Sequence, residues 1–129
     1  MSTLRSSVLL QHDADTVWAV VRDTSAVSRW FPAITSSSGE AHRRTVVLAD
    51  GSTLVEDIVT LDDDLRRMQY SAVDGDLPID RHLGTVDVFD LGDGRSFLVY
   101  STEITPDSFA GAFHSAIDEA VAHLPAHLG

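Results

Sequence analysis

The chain has 129 residues, 43% of them apolar, no cysteine, and a formal net charge of −11 in which all nine basic residues are arginine. Without cysteine there is no disulfide framework, thiol nucleophile or cysteine-ligated zinc, and so acidic a chain is a poor partner for a nucleic-acid backbone or an anionic membrane. At this length one domain, residues 1–129, is expected, burying about two-thirds of its unfolded surface.

The N-terminal residues are too polar for a signal-peptide core. No apolar run approaches the roughly 20 residues of a membrane helix, so a cytoplasmic chain without membrane insertion is expected. Leu4–Gln11, with Val8, Leu9 and Leu10, predicts a strand. Asp13 then caps a helix to Arg22, because Ala14, Val17, Trp18 and Val21 recur at helical spacing. Asp13 and Asp15 suit the positive end of its dipole and Arg22 the negative end. Ser25 opens a second short helix through Trp30, and Pro32 discourages its continuation.

From Ile34 the pattern becomes strands and turns. Thr35–Gly39 reads as a strand end and turn. Arg43–Leu48, Thr53–Leu61, Arg66–Val73, Ile79–Leu91 and Arg95–Thr105 are strand-like. Asp50-Gly51, Asp62-Asp63-Asp64, Asp74–Pro78 and Gly92-Asp93-Gly94 separate them as turns. Links this short cannot carry parallel crossovers, so the strands form an antiparallel meander. Pro106-Asp107-Ser108 opens the last helix. Phe109, Ala112, Phe113, Ala116, Ile117, Ala120, Val121 and Leu124 give it one apolar stripe, predicted to lie across the sheet, and Pro125 is predicted to end it. The fold class is α+β: a curved antiparallel sheet of about seven strands around a long C-terminal helix, with two short helices after the first strand.

This order resembles the helix-grip fold of the START-like (SRPBCC), birch-pollen-allergen-like superfamily. More narrowly it resembles the bacterial polyketide cyclase/dehydrase and lipid-transport family, with plant abscisic-acid receptors as distant relatives. The resemblance is carried by Val17–Asp23, Trp30–Ile34, Arg44–Gly51, Val55–Ile58, Leu61–Asp63 and Tyr70-Ser71, in that order and spacing. Two positions depart from it. Glu40-Ala41-His42-Arg43 replaces a frequent Gly-x-x-Arg approach to the third strand, although Arg44 still fits the usual arginine, and His82 stands where the receptors have tyrosine.

Side chains alternate across a strand, so one of the adjacent acids Glu56 and Asp57 must face the helix. The resemblance implies that Glu56 is the inward one, with Leu54, Ile58 and Thr60. The same parity turns inward Arg44, Val46 and Leu48; Met68, Tyr70 and Ala72; His82, Gly84, Val86 and Val88; and Leu98, Tyr100, Thr102 and Ile104. Arg67, Arg81, Asp87 and Glu103 then face solvent. Inward charges must pair or line a wet cavity. One reading is a pocket with apolar walls and a few converging polar groups. The other is a collapsed core holding an Arg44–Glu56 ion pair with His82 hydrogen-bonded to it.

The candidate ligand-binding residues are Arg44, Val46, Glu56, Ile58, Tyr70, His82, Tyr100, Phe113 and Ile117. Three functions stay open. The first is binding or transport of a small hydrophobic, lipid- or polyketide-like ligand. The second is a polyketide cyclase/dehydratase-type enzyme in which His82 is general acid or base, Glu56 orients it and Arg44 stabilises an enolate oxygen. The third is a cavity-poor protein-interaction module. No cofactor or metal is expected. His123 and His127 read as a surface pair separated by Pro125, His114 and Asp118 as an exposed pair, and Asp62-Asp63-Asp64 as a solvated turn lacking the other ligands of an EF-hand. Trp18 is expected in the core, and Trp30 at the core or the cavity mouth. The Leu48–Ser52 and Asp74–Pro78 turns are expected to flank that mouth. The chain is expected to be a monomer or homodimer.

Overall fold

The computed structural model describes all 129 residues. In chain order it contains β1 (Ser2–Leu10), α1 (Ala14–Arg22), a 3₁₀ segment (Thr24–Arg29), β2 (Ile34–Gly39), β3 (Arg43–Leu48), β4 (Thr53–Asp62), β5 (Arg67–Gly75), β6 (Arg81–Gly92), β7 (Arg95–Thr105), a 3₁₀ turn (Asp107–Phe109) and α2 (Ala110–Leu128). The strands form one antiparallel sheet in the order β1-β7-β6-β5-β4-β3-β2, curled into a half-barrel. The first and last strands pair, so β2 to β7 run as a meander and β1 is added beside β7.

The Asp50-Gly51 turn shows how sequence sets register. Gly51 takes φ +88°, which a residue with a Cβ adopts at a cost, and Asp50 Oδ1 accepts from the Ser52 N–H at 2.8 Å. With the turn fixed there, Arg44 lies directly opposite Glu56 and Arg43 opposite Asp57. A bulge in β5 at Val73, opposite Val55 and Glu56, and one in β4 at Val59, between Ile58 and Thr60, bend this pair of strands. The second bulge also corrects the alternation expected from the sequence. Beyond it Thr60 pairs with Gln69 on the outer face, where the two side chains bond at 2.9 Å and Gln69 donates to Thr85 at 3.0 Å.

Asp13 caps α1 by accepting from the Thr16 N–H at 2.7 Å, and Ala14, Val17, Trp18 and Val21 form its buried face. The Asp62–Asp64 turn does more than face solvent. Asp63 Oδ1 accepts from Trp18 Nε1 at 2.8 Å and from Arg22 Nε at 2.9 Å, tying the β4–β5 turn to α1. The core continues through Val46, Val86 and Leu98 on the sheet to Ile117, Val121 and Leu124 on α2.

Two expectations for the C-terminal helix are corrected. Pro125 does not end it, since α2 runs on to Leu128. Pro125 has no N–H for the Val121 carbonyl, but it lies in the last turn, where one lost bond is a small fraction of the helix. Leu124 is fully buried and Leu128 packs on the core, so that turn is held from the side. His123 and His127 therefore do share a helix, both exposed. The stripe also does not lie evenly on the sheet. Ile117, Ala120, Val121 and Leu124 are buried, whereas Phe113 and Ala116 are half-buried and Ala112 is exposed. No helix is long and apolar enough to cross a membrane.

Candidate functional site

The uneven packing of α2 leaves a hollow of about 380 Å³ between its first half and the β2–β5 part of the sheet. Sixteen residues line it and fourteen are apolar or aromatic. Phe31, Ala33 and Ile34 come from the segment entering β2, Val46 and Leu48 from β3, Leu54 from β4 and Tyr70 from β5. Leu77 closes one side from the β5–β6 loop, and Ala49 and Asp50 another from the β3–β4 turn. Phe109, Ala112, Phe113, Ala116 and Ile117 form the helical wall. Asp50 and Glu56 are the two ionisable carboxyls in the lining.

A larger depression, about 970 Å³, lies on the outer sheet face across β1, β5, β6 and β7. Five of its fifteen lining residues are apolar, and two of its charges, Arg67 and Asp87, already pair at 3.0 Å. It is an open saddle of the twisted sheet. The hollow under α2, with its apolar walls, is the better ligand site.

Behind the hollow's polar end is a dry cluster. Arg44 is 1% exposed and Glu56 4%. Arg44 Nε donates to Glu56 Oε1 at 2.8 Å and Nη1 to the Thr24 carbonyl at 2.9 Å. The guanidinium also lies over the Tyr70 ring, its Cζ 4.5 Å from the centroid. Burial lifts the Glu56 carboxyl above its ordinary value, against the pull of Arg44. The Tyr70 and Tyr100 hydroxyls bond each other, and burial holds both well above the usual phenol value.

Gly84 makes this arrangement possible. A Cβ there would collide with the Tyr70 ring, so only glycine lets Tyr70 lie flat over β6. The β5–β6 ladder runs from Arg67–Asp87 to Tyr70–Gly84 and stops. Just beyond, His82 replaces it with side-chain chemistry. Its Nδ1 accepts from the Ala72 N–H at 3.0 Å, and its carbonyl accepts from Ser71 Oγ at 2.6 Å. This fixes the neutral tautomer with the proton on Nε2. Burial, and secondarily the charge of Arg44, hold the imidazole down to about 4. The ring packs against Tyr70 and Phe113, with centroids 5.2 and 6.0 Å away.

Of the nine residues singled out from sequence, Val46, Glu56, Tyr70, Phe113 and Ile117 line the hollow. Arg44, Ile58, His82 and Tyr100 are buried without lining it. Parity turned Arg44 inward, but the Tyr70 ring covers its charge, and the His82 ring is taken up by the sheet edge. Trp18 and Trp30 are both buried, and Trp30 packs on Phe31 and Tyr100 at 5.9 and 6.3 Å. The Leu48–Ser52 and Asp74–Pro78 turns expected at the mouth do border the hollow, through Ala49, Asp50 and Leu77, whereas sequence reasoning passed over the Thr24 carbonyl and the space left by the alanines of the α2 stripe. The spacing of Phe109, Ala112, Phe113 and Ala116 carried a usable signal, since small residues on one turn of a core-facing stripe leave space. No group of three or more histidine, aspartate and glutamate side chains is placed to hold a metal ion.

The model of the family described as polyketide cyclase/dehydrase and lipid transport matches residues 1–129. No curated protein matches the chain significantly. Among solved structures, the protein XoxI from Bacillus cereus superposes with a TM-score of 0.91 at 21% identity, covering 99% of this chain and 96% of that one. A START superfamily protein from Mycobacterium smegmatis gives 0.74 at 15% identity, covering 98% and 93%. The di-domain ARO/CYC BexL from the BE-7585A biosynthetic pathway gives 0.82 at 15% identity, and the match covers 99% of this chain but 46% of that one. At these identities the likeness is one of fold.

Proposed function

This chain belongs to the polyketide cyclase/dehydrase and lipid transport family, and from that premise we propose that it binds and carries a small, largely apolar molecule in the hollow under α2. One observation carries the reading: the long helix that elsewhere closes onto the sheet stands off it where Ala112 and Ala116 face Leu54, Leu77 and Ile34. At interior packing density the hollow takes about fifteen non-hydrogen atoms. At roughly 0.4 kcal/mol per atom, such a ligand binds with a Kd of tens of micromolar.

The same geometry favours carriage over turnover. A base must come within hydrogen-bond reach of the proton it abstracts. His82 gives Nδ1 to a backbone N–H and does not line the hollow, Glu56 Oε1 is held by Arg44, and the tyrosine hydroxyls bond each other. The Leu77 and Asp50 loops border the hollow and are suited to admitting a ligand.

The test is binding of the uncharged fluorophore N-phenyl-1-naphthylamine by the wild type and by Ala116→Trp, with far-UV circular dichroism to establish that both fold. The indole takes up a large part of the hollow, so binding should fall at least tenfold at unchanged helicity. Equal binding by the two proteins refutes the site. Native mass spectrometry of protein purified from cells should show a retained mass that dissociates unaltered.

A further inference from the structure

The hollow is selective in charge as well as size. Its lining contains no arginine, lysine or histidine, and its two ionisable carboxyls are both acids, Glu56 at the floor and Asp50 in the β3–β4 turn. The nearest cation is spent: Arg44 is held by Glu56 and the Thr24 carbonyl and roofed by the Tyr70 ring. Asp76, next to Leu77 in the facing loop, accepts from the Thr53 N–H and adds another acid near the Leu77 wall.

From these placements we infer that the ligand is uncharged and presents a hydroxyl, and that the site rejects carboxylates of the same length. The inference rests on the reading of the hollow as a binding site. An anionic head at the floor would lie beside Glu56 with no unpaired cation in reach, and one at the mouth would meet Asp50, so neither end offsets its desolvation. A hydroxyl, by contrast, can donate to Glu56. Arg44 occupies Oε1, and Oε2 makes no hydrogen bond to a protein donor. The phenol of Tyr70 already spends one of its hydrogen-bonding capacities on Tyr100, which leaves Glu56 Oε2 as the stronger acceptor. A free fatty acid is therefore a poor occupant, and a neutral alcohol or phenol a good one.

Three matched probes test this by displacement of the uncharged fluorophore N-phenyl-1-naphthylamine at pH 7.5 and low salt: decan-1-ol, decyl methyl ether and decanoate. The expected order is decan-1-ol tightest, the ether about fivefold weaker for want of a donor, and decanoate at least thirtyfold weaker than the alcohol. Asp50→Asn keeps the acceptor that holds the Ser52 N–H and removes one charge from the lining, so it should narrow the gap between decanoate and decan-1-ol at least twofold. Glu56→Gln, if folded by circular dichroism, should narrow the gap by tenfold or more. Decanoate binding within threefold of decan-1-ol overturns the charge selectivity and leaves the hollow as a site. Equal binding of alcohol and ether overturns the role of the hydroxyl. Failure of all three to displace N-phenyl-1-naphthylamine removes the binding reading itself, and this inference with it.

Discussion

Replacing His82 by asparagine removes a titrating group from the β5–β6 contact while keeping an acceptor close to where Nδ1 stands. In the folded protein burial and Arg44 hold the imidazole at about 4, against 6.5 for an unperturbed histidine. Between those values the unfolded chain binds more protons than the folded one, so stability rises with pH. The contribution is complete above pH 6.5 and drains away as pH falls toward 4. At 1.36 kcal/mol per unit, the whole interval is worth about 3 kcal/mol, most of it gone by pH 4.5. The protonated ring also loses its acceptor, which releases the Ala72 N–H at the end of the ladder. The assay is urea unfolding of wild type and His82→Asn at pH 7.5 and 4.5. Aspartates titrate in both proteins, so the difference between the two pH losses isolates His82. We expect wild type to lose about 2–3 kcal/mol more than the variant. Losses equal within about 0.5 kcal/mol would refute the burial and tautomer assigned here.

Four further outcomes are expected from the packing and hydrogen bonds. Gly84→Ala drives a Cβ into the Tyr70 ring and should cost about 2–3 kcal/mol in urea unfolding. Gly111→Ala, in open space within α2, should gain about 0.8 kcal/mol in the same assay. Arg44→Met strands Glu56 in a dry site and should cost about 3–5 kcal/mol. The double variant Arg44→Met/Glu56→Leu should recover most of that loss, and a double as unstable as the single would show that the Thr24 and Tyr70 contacts carry the stability instead. Trp18→Phe removes the indole bond to Asp63 and should cost about 1–2 kcal/mol, with earlier protease cleavage at the loosened β4–β5 turn.

Much of the sheet is legible in the residues because turns and alternation are local. The Arg43–Leu48 and Arg95–Thr105 strands have the bounds read from sequence. The Asp50-Gly51 turn is enough to place Arg44 beside Glu56, since the pairing counts outward from it. Alternation fails at Thr60 because a bulge inserts one residue and reverses the faces beyond it, and nothing in Ile58-Val59-Thr60 announces a bulge. Pro125 misleads for a different reason. A local rule about a missing N–H is outweighed by the burial of Leu124, which is tertiary. Arg44 and His82 show the limit for sites. Parity says which way a side chain leaves the strand, but whether it reaches a cavity depends on what lies over it. The covering groups, the Tyr70 ring and the Ala72 amide, come from another strand.

The hollow and the stability of the fold have one origin in α2. Its second half carries Ile117, Val121 and Leu124, long enough to meet β1 and the core, and these hold the helix on the sheet. Its first half carries Ala112 and Ala116 on the same stripe, flanked by Phe109 and Phe113, so the backbone stays at the distance set by the second half while the side chains fall short. A helix is stiff over this length, so it does not bend to close such a gap. The missing contacts are a standing cost, of the order of 24 cal/mol for each Å³ of unfilled apolar space in other cores. A ligand of the right size offsets that cost directly. Filling the gap from within the chain should therefore stabilise the protein and abolish binding together. Ala116→Leu is the milder test: a gain of about 1 kcal/mol with loss of N-phenyl-1-naphthylamine binding is expected, whereas a gain without loss of binding would place the ligand elsewhere.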